Sequence, residues 1–232
     1  MDPMQPKQAS SAGIVIVAAV IALLVGFAGG KLMNRKDTTA TAMMPAAAVT
    51  PSASNKAADL RSALVTLGVE HMHLTDSAID AALDGTPDAA ALKDSLVANG
   101  TSISAAVGSV YGADARAQFQ TLWNNHLNDF VTYAVADKKG DAAAKKAALD
   151  DIATNYTKPI SALLSGANPN LPDATLQTVF GDHVSMTAAI IDDHVAGNYA
   201  KEATDLTAAD THIGVIMSTL AGAIVTQYPA KF

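Results

Sequence analysis

One short phrase occurs three times in this sequence. Residues 66–71 read TLGVEH, residues 121–126 read TLWNNH and residues 178–183 read TVFGDH. The copies lie about 56 residues apart, just beyond the usual range of helical repeats, which indicates a tripled structural unit. Each copy ends in a histidine. A fold built from these units is therefore expected to place His71, His126 and His183 in related positions.

The sequence after residue 55 is rich in Ala, poor in aromatic residues and divided by Gly and Pro breaks. Ala has the highest helix propensity, and the β-branched runs typical of strands are scarce here. Six helices are predicted between the breaks. They cover about residues 57–83, residues 87–110, a segment carrying Trp123 that ends near 138, a segment interrupted at Pro159, residues 173–195 and residues 200–227.

These six helices pair into three hairpins when the repeats are aligned. The second helices of the hairpins then match Asn99 with Asn155 and Asp210. Short connections make consecutive helices antiparallel neighbours. The predicted fold is all-α: a six-helix bundle built from three αα-hairpin repeats and preceded by one transmembrane helix.

The transmembrane helix is predicted over residues 12–30, an uninterrupted apolar run that follows a short tail, residues 1–11. At about 1.5 Å per residue, such a helix spans the hydrocarbon core of a bilayer. We interpret it as an uncleaved single-pass anchor, followed by a linker over residues 31–55 and a helical domain over residues 56–232. A cleaved signal peptide is the alternative, but the small residues Ala40-Thr41-Ala42 lie too far beyond the apolar run.

The orientation of the anchor depends on two opposing signals. Lys31, Arg35 and Lys36 follow the apolar run and Lys7 alone precedes it, which by the positive-inside rule places the domain in the cytoplasm. The linker consists mostly of Thr, Ala, Ser, Pro and Met, like the stalks that hold extracytoplasmic domains away from a membrane. We give the linker more weight and predict a cell-membrane protein whose domain is extracytoplasmic.

Charge and composition exclude several functions. Residues 56–232 contain 11 Lys and Arg against 20 Asp and Glu, whereas nucleic-acid binding depends on an excess of basic residues. We therefore expect no nucleic acid as a partner. The absence of Cys excludes disulfides, metal thiolate sites and Cys nucleophiles. The sequence contains no glycine-rich phosphate loop, nucleophile elbow or His-Glu-x-x-His motif, so it predicts no catalytic residue.

The histidines are the residues with the clearest chemical potential. An apolar residue lies one helical turn before each repeated histidine, which places the imidazoles on the inward face. Neutral imidazole is the commonest metal-binding side chain, and nearby thioethers would suit copper. The sequence predicts a site for copper, another transition metal or haem. Its predicted ligands are His71, His126, His183 and His212, and the methionines near them in sequence are Met72, Met186 and Met217.

A purely structural role for these histidines is the alternative. An inward imidazole can also be satisfied by Asn99, Asn155 or Asp210 of the neighbouring helix. The domain would then be a structural or protein-interaction module of the cell envelope that packs against copies of itself or an envelope protein. Of the other histidines, His73 is expected at the surface and His194 at a solvated helix end.

Three sequence patterns carry a resemblance to known proteins. They are Glu70-His71-x-x-Leu74, then Leu122-Trp123-x-x-His126-x-x-x-Phe130-Val131-x-Tyr133, and the ending Gln227-Tyr228-Pro229-Ala230-Lys231-Phe232. In these patterns the domain resembles a group of uncharacterised bacterial secreted or surface proteins, some of which carry a copper amine oxidase label. The resemblance implies an exported all-helical domain. It does not carry the oxidase activity, because copper amine oxidases are large β-rich enzymes with a tyrosine-derived quinone and nothing here matches that site.

Overall fold

The chain forms a bundle of helices in a computed structural model that describes residues 55–232. These residues contain no strand, which confirms the all-α prediction. The helices are α1 (Lys56–Asp84), α2 (Ala89–Tyr111), α3 (Ala113–Lys138), α4 (Ala142–Ile152), α5 (Lys158–Ala167), α6 (Asp173–Ala196) and α7 (Tyr199–Gln227). A π turn, Ala153–Thr157, joins α4 to α5, so the domain has the six helical segments that the sequence predicts. The predicted tail, the anchor and the linker up to residue 54 lie outside the described residues.

Local sequence explains where the helices begin and end. Asn55 caps α1, and Asp141 caps α4, each by accepting a hydrogen bond from the backbone N–H three residues on. Gly85 ends α1 with φ 68°, and Gly197 ends α6 with φ 74°, in the left-handed region that suits glycine. These turns make the connections short and force the chain to fold back on itself.

The π turn lies directly before the proline that the sequence predicts as a break. Pro159 has no N–H to donate, and its ring crowds the carbonyl of Asn155. Widening the preceding turn accommodates both effects, and an α-helix resumes at Lys158. The π turn contains Tyr156, whose fully buried side chain points into the centre of the bundle. The predicted break at Pro159 is therefore confirmed, and it positions an aromatic ring of the core.

Each helical segment packs against its neighbours along the chain, and α7 also packs extensively against α1. The helices therefore form a closed ring. Within this ring α1, α3 and α6 touch one another across the centre. The core that they enclose includes Leu67, Phe130, Ile160 and Phe180. The arrangement confirms the predicted helical bundle. That the bundle is built from three hairpin repeats stays a prediction.

One described helix, α7, is long and apolar enough to cross a membrane, judged by its length and composition alone. Its most apolar window has a mean hydropathy of 1.4, and 39% of that window is buried inside the bundle. A core helix of a bundle meets the same criteria, and here Ile213, Ile216 and Met217 of α7 are buried in the core. This helix is therefore weak evidence for a membrane span.

The single tryptophan of the chain packs against a glycine. The indole ring of Trp123 in α3 approaches α2 at Gly100 with the edge that carries Nε1 and Cδ1, and a Cβ atom added to Gly100 would overlap these atoms. Both residues are buried. Gly100 therefore fixes how closely α2 and α3 approach, and with it the position of Trp123.

We expect Gly100→Ala to destabilise the domain by about 1–3 kcal/mol, because overpacking moves the indole ring out of its position. The matched control is Gly181→Ala in α6, where an added Cβ meets nothing within 4 Å. That change is expected to stabilise the domain by about 0.5–1 kcal/mol through helix propensity. Urea unfolding measures both values, and equal effects of the two substitutions would contradict the close packing at Gly100.

Candidate functional site

The three repeated histidines meet at the centre of the bundle. His71 lies on α1, His126 on α3 and His183 on α6, and each is at most 2% exposed. The ring centroid of His71 is 5.6 Å from that of His126 and 6.0 Å from that of His183. The predicted inward orientation is confirmed. We call these three residues the histidine triad.

Aromatic rings surround two members of the triad. The Trp123 ring lies 4.6 Å from His71 and 4.8 Å from His126, measured between centroids. Tyr156 of the π turn stacks on the other side of His126 at 4.2 Å and an interplanar angle of 20°. These rings exclude water from the triad. The sequence patterns around each histidine gave no sign of this contact with Tyr156, because it depends on the π turn.

Most of the ring nitrogens of the triad are buried and lack a hydrogen-bond partner within residues 55–232. They are the Nδ1 atoms of His71 and His183 and both ring nitrogens of His126. The indole N–H of Trp123 is unpartnered as well. A buried polar atom without a partner costs about 1–3 kcal/mol, so several in one place are an unusual feature of a protein core.

The polar residues that a structural role would require make other contacts. Asn99 donates from Nδ2 to the carbonyl of Leu67 at 3.1 Å and to Glu70 at 3.0 Å. Asp210 pairs with the partly exposed His73 at 3.0 Å, and Asn155 is exposed to solvent. In the described part of the chain, none of the three expected partners is hydrogen-bonded to the triad. The sequence alignment of the second helices therefore does not supply partners for the imidazoles.

Burial keeps the triad neutral. Burial, together with a neighbouring histidine, lowers the pKa of His126 to about 3 and that of His183 to about 4. The pKa of His71 lies well below its usual value for the same reasons, burial first and then His126 and His183. Carbonyl groups near His126 favour its protonated form slightly, but they do not reverse the effect of burial. Neutral imidazole is the form that ligates metals.

The spacing of the rings suits a shared metal ion. A metal lies about 2.0–2.1 Å from a ligating nitrogen, which puts it roughly 3.2 Å from the ring centroid. Two imidazoles on one ion then have centroids about 5–6 Å apart, the range in which the two distances from His71 fall. The one group in residues 55–232 whose ligating atoms already lie within 4.8 Å of one another is a different one. The triad's rings would therefore have to turn for their nitrogens to converge.

The fourth predicted ligand, His212, lies beside the triad on α7 and is partly buried. Its Nε2–H donates to the carbonyl of Val179, one helical turn before His183, at 3.0 Å. After burial, the nearby His212 is the second cause of the lowered pKa of His183. The hydrogen bond to a carbonyl is typical of ligating histidines and leaves Nδ1 available. Ligation by His212 stays a prediction.

The methionines occupy core positions. Met72 and Met217 are buried, and Met186 packs at the edge of the core. Met217 lies against Gly68, where an added Cβ would be 2.6 Å from its Cγ. These positions fit close helix packing, in which a thioether fills irregular space.

His194 differs from its sequence-based interpretation. It was expected at a solvated helix end, but it is only 8% exposed and lies among carboxylates of α1 and α7. Its Nδ1 is 3.1 Å from Asp80 and its Nε2 is 3.4 Å from Asp84. The neighbouring acidic residues of α6 suggested solvent exposure, because the sequence of α6 alone does not reveal the helices that cover it. The i,i+4 series Asp76, Asp80, Asp84 was the available signal, since such a row of like charges calls for a cation.

Comparison of the chain with models of protein families, with curated proteins and with solved structures found no match. The function of the site is therefore inferred from its own residues.

We expect the neutral triad to make the metal-free protein sensitive to acid. The unfolded His126 has a pKa near 6.5 and the folded one a pKa of about 3, so the folded state binds fewer protons. Its contribution to stability is complete above pH 6.5 and is lost as the pH falls toward 3. The loss is about 1.4 kcal/mol per pH unit, or about 2 kcal/mol at pH 5.

His126→Phe isolates this effect, because Phe preserves the stacking on Tyr156 and does not titrate. Urea unfolding of both proteins at pH 7.5, 6 and 5, with a chelator present, gives the difference in the free energy of unfolding. We expect the unsubstituted protein to lose stability relative to the variant as the pH falls. Parallel pH dependences would show that His126 is not held neutral.

Proposed function

We propose that residues 56–232 are the metal-binding domain of a membrane-anchored, extracytoplasmic protein, and that the histidine triad holds one transition-metal ion. The main support for this proposal is the set of buried ring nitrogens that have no hydrogen-bond partner in the described chain. His212 is proposed as an additional ligand through its Nδ1. No catalytic residue is proposed.

An ion fits this site better than haem. The cavity beside the triad, which Trp123 and Tyr156 help to line, has a volume of about 40 Å³. This is room for a few water molecules, since one needs about 10–15 Å³ on this measure. A porphyrin would require the helices to move apart. A single ion requires only small rotations of the histidine rings.

Copper in its cuprous state is the ion that the site favours. The triad supplies three neutral ligands and its surroundings are almost wholly apolar. Burying a net charge in such surroundings is costly, and the cost rises with the charge, so a monovalent ion is preferred to a divalent one. Imidazole is a suitable ligand for copper. Storage or transfer of copper outside the cytoplasm is the role that follows from such a site.

The chain's only tryptophan provides the direct test, because it touches two of the proposed ligands. We expect the full chain in detergent micelles, refolded anaerobically with cuprous ion, to retain about one copper per chain and to lose most of its Trp123 fluorescence. Elemental analysis and emission spectra measure the two effects. Zinc added in the same way is expected to bind less tightly.

The variants for this experiment are His71→Gln and His126→Phe, each expected to reduce copper retention at least tenfold. His73→Gln is the matched control, because His73 lies two residues from His71 but points away to Asp210. It is expected to bind copper normally. Circular dichroism establishes that each variant folds. Absence of copper from the unsubstituted protein, or equal retention by all variants, would refute the metal site.

Support for the membrane location comes from the apolar run over residues 12–30 and the stalk-like linker. Alkaline phosphatase, which is active only outside the cytoplasm, fused after Phe232 is expected to be active in bacterial cells. Green fluorescent protein fused at the same point is expected to be dark when exported through the general secretion pathway. An inactive phosphatase fusion and a fluorescent green fluorescent protein fusion would place the domain in the cytoplasm, as the positive charges after the apolar run suggest.

A second candidate function, a protein-interaction module with structural histidines, is favoured by one observation. An apolar groove of about 520 Å³ lies between α1, α2 and α3, and Val97 and Val131 are exposed along it. Exposed apolar grooves of this kind are common at sites of protein association. The copper experiment separates the two candidates, because a structural triad would bind no metal.

A further inference from the structure

A second cluster of side chains of the kind that bind metals lies near the C-terminal end of α1. It joins Asp80 of α1, His194 of α6 and Glu202 of α7, and one ligand atom from each lies within 4.8 Å of the other two. His194 and Glu202 are buried, and Asp80 is partly buried. None of these residues belongs to the histidine triad. We call the three residues the carboxylate cluster.

The distances within the carboxylate cluster are those of a coordination shell. Nδ1 of His194 lies 3.1 Å from Asp80 Oδ1 and 3.2 Å from Glu202 Oε1. Ligands about 2.1 Å from one metal ion are separated from each other by roughly 3.0–3.4 Å. A single N–H cannot donate well to two carboxylates at once, whereas an ion placed among the three atoms satisfies all of them.

The other nitrogen of His194 is already held. Nε2 lies 3.4 Å from Asp84 Oδ1, to which it can donate its proton. Carboxylates commonly orient a ligating imidazole through its second nitrogen in this way. Asp84 therefore acts as a positioning residue. Its hydrogen bond assigns the proton to Nε2 and leaves the lone pair of Nδ1 facing Asp80 and Glu202.

A small void lies beside Asp80, and two buried polar atoms without hydrogen-bond partners belong to residues that line it. Its volume is about 10 Å³, close to that of one water molecule, and Thr75 and Asp76 line it. Thr75 is 4% exposed, and its hydroxyl has no hydrogen-bond partner in the described chain. One carboxylate oxygen of Asp76 is also unpartnered. A water ligand of an ion at Asp80 would satisfy both atoms.

The corresponding threonine of the third repeat shows what Thr75 lacks. Thr187 follows His183 by four residues, as Thr75 follows His71, and it also lines the void. Its hydroxyl donates to the carbonyl of His183 at 3.0 Å, the usual bond for a helical threonine. The Thr75 hydroxyl has no hydrogen-bond partner in the described residues, so it does not make this bond with His71.

The charge around the cluster also calls for a cation. Asp76, Asp80 and Asp84 follow one another at i,i+4 along α1 and face Glu202, while His194 is the one basic side chain paired with the cluster among residues 55–232. The carboxylates in this region therefore outnumber the basic side chains that pair with them.

We propose that Asp80, His194 and Glu202 form a second metal site, which binds a divalent cation of the manganese type with the help of Asp76 through water. Carboxylate ligands suit Mn²⁺, and one imidazole makes the site more selective for transition metals than for Ca²⁺. Such an ion connects α1, α6 and α7 at one end of the bundle. The site is independent of the copper site in ligands, in charge and in the class of metal.

Manganese provides its own readout, because the six-line electron paramagnetic resonance signal of free Mn²⁺ disappears on binding. We expect the full chain in detergent micelles to bind one Mn²⁺ and to unfold at a higher temperature when it is bound. Asp80→Asn and Glu202→Gln are each expected to weaken binding at least tenfold and to abolish the thermal shift. Asp84→Asn, which loosens the ring of His194, is expected to weaken binding several-fold.

Asp205→Asn is the matched control, because Asp205 lies on the same helix as Glu202 but pairs with Lys201 outside the cluster. It is expected to leave Mn²⁺ binding unchanged. If Asp80→Asn fails to fold, Glu202→Gln tests the same site from another helix. No loss of the free Mn²⁺ signal, or equal binding by Glu202→Gln and Asp205→Asn, would overturn the proposal and leave the cluster as an ion pair. Loss of copper binding alone would not affect it.

Discussion

The structure depends on keeping three imidazoles neutral at the place where α1, α3 and α6 meet. Burial, and then a neighbouring histidine, lowers the pKa of His126 to about 3 and that of His183 to about 4. A charge at any of the three positions would face low-polarity surroundings and the other two rings. The helices can pack closely around the triad only because it is neutral. The same neutrality makes the nitrogens available to an ion.

Aromatic rings fill the space between the helices around the triad. Gly100 lets Trp123 lie against α2, and the π turn before Pro159 brings Tyr156 onto His126. In the described chain the ring nitrogens of His126 have no hydrogen-bond partner, although a partner would stabilise it. The rings therefore pack closely in the core while these nitrogens stay without hydrogen bonds. This combination is the basis of the proposed metal site.

One helix, α1, contributes to two sites of opposite character. His71 lies in apolar surroundings without charge, whereas Asp80, little more than two turns later, lies among carboxylates. Thr75 lies between them and lines the small void beside Asp80. The two environments would select different ions, because a neutral apolar site favours a low charge and soft chemistry while a carboxylate site favours a hard divalent ion. The two proposed sites would therefore not compete for the same metal.

The sequence by itself determined the helices and the inward direction of the repeated histidines. Helix ends follow from local signals such as Gly85, Gly197 and Pro159, and the inward face follows from the apolar residue one turn before each histidine. Only the tertiary structure decided which side chains surround them. Asn99, Asn155 and Asp210 are aligned in sequence but contact different groups, because side-chain partners depend on how helices rotate against each other. His194 was misplaced for the same reason: its burial comes from α1 and α7, which lie far from it in the chain and cover it only in the folded bundle.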